Sequence, residues 1–84
     1  MKGKFNMIIV ANTERSALGF QPQKLTVNGN VLVAKVRDNA EVKMTFVDES
    51  AASRCHVLLK QNEDNNVPHV HVQCTRIEMT RVRQ

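Results

Sequence analysis

Apolar and polar residues alternate with a period of two along most of the chain, the pattern of strands with one face turned inward. In "KFNMIIVA", residues 4–11, Phe5, Met7 and Ile9 share one face. Ile8 and Val10 make the other face apolar as well, so this strand is expected to be covered on both sides. Residues 12–23, "NTERSALGFQPQ", read as a loop with at most one helical turn, capped by Thr13 and stopped at Gly19, with Pro22 preventing continuation. The stretch "KLTVNGNVLVAKVR" contains Asn28-Gly29, a strong short hairpin signal because both residues tolerate positive φ. A turn centred there pairs Val27 with Asn30 and Leu25 with Leu32.

The next turn falls at "DNA", residues 38–40. A three-residue loop sets Val36 opposite Val42, Ala34 opposite Met44 and Leu32 opposite Phe46, all apolar. A two-residue loop would set Val36 against Glu41 and Ala34 against Lys43. Register follows the buried face, so the longer loop is expected. Beyond Asp48 two readings compete. A helix capped by Ser50 would align Ala52, Cys55 and Leu59 in one stripe. A hairpin centred on "NEDNN", residues 62–66, would pair Cys55 with Cys74, Val57 with Val72 and Leu59 with Val70. All six would lie on one face, and that agreement favours the hairpin. Ile77 and Met79 then fall on the opposite parity, which asks for a β-bulge near Thr75–Arg76. The expectation is a single all-β domain over residues 1–84. It would be a small barrel or rolled antiparallel sheet of five to six strands, of OB or SH3-like size, with at most one short helical turn.

Composition adjusts this picture in three ways. The only aromatics are Phe5, Phe20 and Phe46, so the core of this 84-residue chain rests on aliphatic residues and Met. A core that small gains from self-association, and a homo-oligomer is expected. No apolar run approaches the roughly 20 residues that span a bilayer. The run "MIIVA" is also shorter than the ~7–15 residues of a signal-peptide core, so a cytoplasmic protein with no membrane partner is expected. Two cysteines make no disulfide framework, and both are read as buried thiols.

The stretch "NVPHVHVQC", residues 66–74, carries the most concentrated candidate chemistry. In the expected hairpin His69, His71 and His56 share the face opposite the cysteines. Three imidazoles could meet a transition metal, but a closed zinc site wants four ligands, so no metal or other cofactor is expected. "VPHVHVQ" resembles the motif of the histidine-triad nucleotide hydrolases and transferases, one branch of which carries glutamine where Gln73 stands. The resemblance implies His71 as a nucleophile, with His69 and Gln73 supporting a phosphate, and covers seven residues of the chain. No Ser-His-Asp set, paired catalytic carboxylates, GxGxxG or P-loop can be argued from the sequence. The protein is read as non-catalytic.

The central hairpin offers another kind of site. In the expected register Lys35 lies opposite Lys43 on the outward face, with Arg37 opposite Glu41. Val31, Val33, Thr45 and Val47 form an apolar patch beside them. Like charges directly opposite destabilise a sheet unless an anion lies between them. The net charge of +4 and the arginines of "TRIEMTRVRQ" point the same way. The expected function is therefore nucleic-acid binding, single strands favoured, through Lys35, Arg37, Lys43, Arg76, Arg81 and Arg83. The alternative is a protein-binding module or small inhibitor of a nucleic-acid-processing complex, docking through the valines or an open sheet edge.

Overall fold

The computed structural model describes residues 5–11, 19–37, 39–65 and 68–81. In chain order they form β1 (Asn6–Ala11), β2 (Gly19–Phe20), β3 (Lys24–Asn28), β4 (Val31–Val36), β5 (Ala40–Thr45), α1 (Glu49–Asn65), β6 (His69–Cys74) and β7 (Arg76–Arg81). The strands make a three-stranded sheet, β2-β1-β6, and a four-stranded sheet, β3-β4-β5-β7. The fold is thus mostly β, but two points of the expectation are corrected. A 17-residue helix is present, and the described residues form two sheets with no closed barrel. The expected turn near Thr13 lies outside the described residues, whereas Gly19 and Phe20, read as loop, pair with β1 as the short strand β2.

β1 runs antiparallel to β2 and parallel to β6, from Asn6 opposite His69 to Ala11 opposite Cys74. Phe5, Met7, Ile9 and Ala11 are buried, while Ile8 and Val10 are half-buried on the other side, as the doubly apolar pattern requires. The four-stranded sheet is antiparallel throughout. Its inner face contributes Leu32, Ala34, Val36, Ala40, Val42 and Met44 to a core shared with β1, β6 and α1.

Both hairpins have the expected faces and shifted partners. The first turn uses Gly29-Asn30, with Asn28 opposite Val31 and Leu25 opposite Ala34. Gly29 takes φ +63°, the left-handed conformation a leading glycine supplies in such turns. Asn30 then clasps the far end of β5. Its carbonyl accepts from Phe46 N–H at 2.8 Å, and its Nδ2 donates to the Phe46 carbonyl at 3.1 Å. The second loop does have three residues, but they are 37–39, and Val36 faces Ala40. Asn39 carries the positive φ, 58°, that a short polar side chain tolerates. Each shift moves partners by two, so the inward set is unchanged.

The hairpin pairing Cys55 with Cys74, Val57 with Val72 and Leu59 with Val70 does not form, because α1 takes its first half. Asp48, rather than Ser50, caps the helix, accepting from Ala51 N–H at 2.8 Å. Ala52, Leu59 and Asn62 are buried and Cys55 is half-buried, a stripe at helical spacing. Residues 62–65 of the polar run read as a turn are the helix's last residues. No buried side-chain nitrogen or oxygen among the described residues lacks a hydrogen-bond partner. Among them, too, no helix is long and apolar enough to cross a membrane.

The phase change near Thr75 is real, but it is a corner and not a bulge. β6 belongs to one sheet and β7 to the other, with Thr75 alone between them. Its N–H and its hydroxyl both donate to the Thr45 carbonyl at 2.8 Å, pinning the bend to the end of β5.

Candidate nucleic-acid interface

The outward side chains of the four-stranded sheet fall into three rows set by the ladder. The first row reads Lys24, Lys35, Glu41, Thr80. The second reads Thr26, Val33, Lys43, Glu78, and the third Asn28, Val31, Thr45, Arg76. Lys24, Lys35, Lys43 and Arg76 are exposed, while Val31, Val33 and Glu41 are half-buried. The cations trace a diagonal across the sheet, from Lys24 and Lys35 through Lys43 to Arg76. Successive diagonal neighbours on adjacent strands stand ~7–8 Å apart. Both acids lie on one side of that diagonal and only neutral residues lie on the other.

The ladder corrects three placements. Lys35 faces Glu41, and Lys43 faces Glu78, so the two lysines do not oppose each other. Arg37 is exposed in the β4–β5 turn and does not pair with Glu41. The like-charge pair of this sheet is instead Lys24 with Lys35, which the expected register had hidden by pairing Leu25 with Leu32. Arg76 joins the lysine face. Arg81 holds the ladder position opposite Ala40, and Arg83 lies outside the described residues. Val47 is exposed beyond the end of β5 rather than within the sheet.

The outward face of the three-stranded sheet differs in kind. It presents Ile8 and Val10 beside exposed His69, His71 and Gln73. These residues do point away from Cys74, as expected, but His56 is carried off on α1. Among the described residues no three His, Cys, Asp or Glu side chains gather as a metal ligand set. The seven-residue histidine-triad resemblance thus rests on a strand whose two imidazoles face solvent.

Cys55 and Cys74 are free thiols packed into the shared core from α1 and β6. Burial, reinforced by the charge Cys74 would carry, pushes the Cys55 thiol up to about 11. Burial raises Cys74 as well. Both are therefore poor nucleophiles near neutral pH.

The helix has an apolar outer side. Val57 and Leu58 are 52% and 62% exposed. With Ser53, Arg54 and Gln61 they border a shallow hollow of about 440 Å³. No family model matches this chain, and comparisons with curated proteins and with solved structures return no match.

Proposed function

We propose that the protein binds single-stranded nucleic acid, without catalysis, along the outward face of its four-stranded sheet. The observation that carries this reading is the diagonal of Lys24, Lys35, Lys43 and Arg76. A single strand laid along it meets a cation on every strand of the sheet, while Glu41 and Glu78 stay to one side. Phosphates, not bases, supply the affinity: Phe5 and Phe46 are buried, so neither offers a stacking platform, and half-buried Val31 and Val33 give only a modest apolar floor. Fluorescence anisotropy with labelled single-stranded and duplex oligonucleotides, at roughly 50 and 200 mM salt, tests it. Saturable binding that weakens steeply with salt and falls in Lys43→Glu is expected. Absence of binding at the lower salt overturns it.

A second reading, protein binding, is favoured by the exposed Val57 and Leu58. The occupant that fits is a second copy of this chain. Two antiparallel α1 helices about a twofold axis would set Val57 against the other copy's Leu58 and Arg54 against its Gln61. Sedimentation of Leu58→Lys tests it: a monomer where the parent dimerises supports the pairing, and an unchanged mass rejects it.

A further inference from the structure

At the open edge of the four-stranded sheet, Lys24 and Lys35 occupy directly opposite ladder positions. Residues so placed have Cβ atoms ≈ 4.5–5.5 Å apart, and like charges there destabilise the pair. The chain does not let them drift apart. Gln23 N–H donates to the Lys35 carbonyl at 2.7 Å, fastening the entry of β3 against β4. Lys24 and Lys35, with Thr26, Val33 and Glu41, border a hollow of about 220 Å³. Because β3 is an edge strand, the hollow is open from the side.

The charges around this point are unequal. Lys43 has Glu78 directly opposite, and Lys35 has Glu41 on its β5 side. Among the described ladder positions Lys24 faces only Lys35. Glu41 offsets part of the positive charge and repels an anion from the β5 side, so a ligand is held toward Lys24. A phosphomonoester matches this geometry better than a phosphodiester. It carries about −1.5 to −2 at pH 7 and three strong acceptor oxygens, enough for two ammonium groups and the Thr26 hydroxyl. A diester carries one negative charge, which suits the single cations farther along the diagonal.

We propose that the Lys24–Lys35 hollow binds a phosphomonoester dianion, the terminal phosphate of a nucleic-acid strand whose following diesters lie along Lys43 and Arg76. The strand portion rests on the function proposed above, whereas the phosphate subsite is testable without nucleic acid.

Two measurements separate these. Inorganic phosphate is titrated into ¹⁵N-labelled protein at constant ionic strength, with chloride as control, while the amide resonances of residues 23–26 and 33–36 are followed. Saturable shifts confined to that end of the β3–β4 ladder, lost in Lys24→Gln, are expected. Glu41→Gln should tighten phosphate by about two- to fivefold, the size of one exposed ion pair, and a damaged fold cannot produce such a gain. Anisotropy then compares one oligonucleotide carrying a 5′-phosphate, a 3′-phosphate or neither. One phosphorylated form should bind about two- to fivefold tighter than the bare strand. Lys24→Gln should abolish that preference, while Lys43→Gln should weaken all three alike. Localised phosphate binding with no oligonucleotide binding would overturn the nucleic-acid reading and reduce the hollow to a site for free phosphate. Oligonucleotides that bind equally with and without terminal phosphate, or phosphate that gives no localised shifts, would overturn the subsite and leave the diagonal standing.

Discussion

The two sheets share one core and present opposite characters to solvent. The three-stranded sheet includes a parallel pair, and its outward face carries aliphatics, imidazoles and amides with no formally charged side chain among β1 and β6. The four-stranded sheet is antiparallel, and its outward face carries four cations and two acids. Parallel pairing tends to go with cover on both sides, whereas an antiparallel sheet can leave one face to water. Charge has accumulated where the sheet leaves it solvated. The contrast teaches that the outward charges of the two sheets gather on the antiparallel face, even though the most conspicuous motif in the sequence, the alternating histidines, lies on the other.

The hardest test of that contrast is whether the sheets are energetically separate at all. Leu59 and Leu32 are fully buried in the shared core. Leu59→Ala and Leu32→Ala should each cost about 2–5 kcal/mol, and urea unfolding should lose both sheets in one transition. Separate transitions would mean two cores. Next in size is a pair of charge substitutions, one on each sheet. Lys43→Glu should lower the slope of log affinity against log salt by about one and weaken binding to single strands. His71→Glu should do much less, because its sheet faces away from the diagonal; equal losses in anisotropy would erase the distinction.

A smaller effect concerns the thiol that α1 brings to the shared core. The Cys55 thiol is raised from 9.0 to about 11 by burial, so the folded state prefers it protonated. The stability this provides is fully present below pH 9 and is lost as pH rises through about 11. With reductant present, thermal melts should show the parent losing stability more steeply than Cys55→Ala across that window, and parallel curves would remove the effect. The smallest effect is on the charged face itself. Without any anion, Lys24→Thr should stabilise the protein by roughly 0.2–1 kcal/mol by relieving the like-charge pair, as measured by urea unfolding in chloride. Destabilisation would show that the pair costs nothing.

How far the sequence foretold this arrangement depended on the physical range of each signal. The inward sets of β1, β4 and β5 were legible because period two fixes a face within a few residues. Partners were less so. Both turns were centred one residue away from their true positions, which kept every face and hid the Lys24–Lys35 pair. The helix escaped because Cys55 and Leu59 are four apart, a spacing that serves a helix stripe and a strand face equally. Val70, Val72 and Cys74 happened to match them. The signals for the helix were Asp48 three residues before Ala51 and the helix formers Leu58, Leu59, Lys60 and Gln61. Of the candidate cations, Lys35 and Lys43 share the face as expected, Arg76 joins them through a strand order the sequence leaves open, and Arg37 was lost to the turn. Nothing local in the sequence foretells that β1 pairs in parallel with β6.

That last pairing sets the order of events when the chain is made. β1 emerges first, apolar on both faces, yet its parallel neighbour is translated only after every element up to α1. The β3-β4-β5 meander can assemble from near neighbours in the meantime, whereas the three-stranded sheet must await a distant closure. β1 is thus an apolar segment whose parallel partner lies far along the chain, the kind of late closure that leaves hydrophobic surface uncovered during folding. The moment β6 docks on it, β7 is delivered to β5 by the same corner at Thr75.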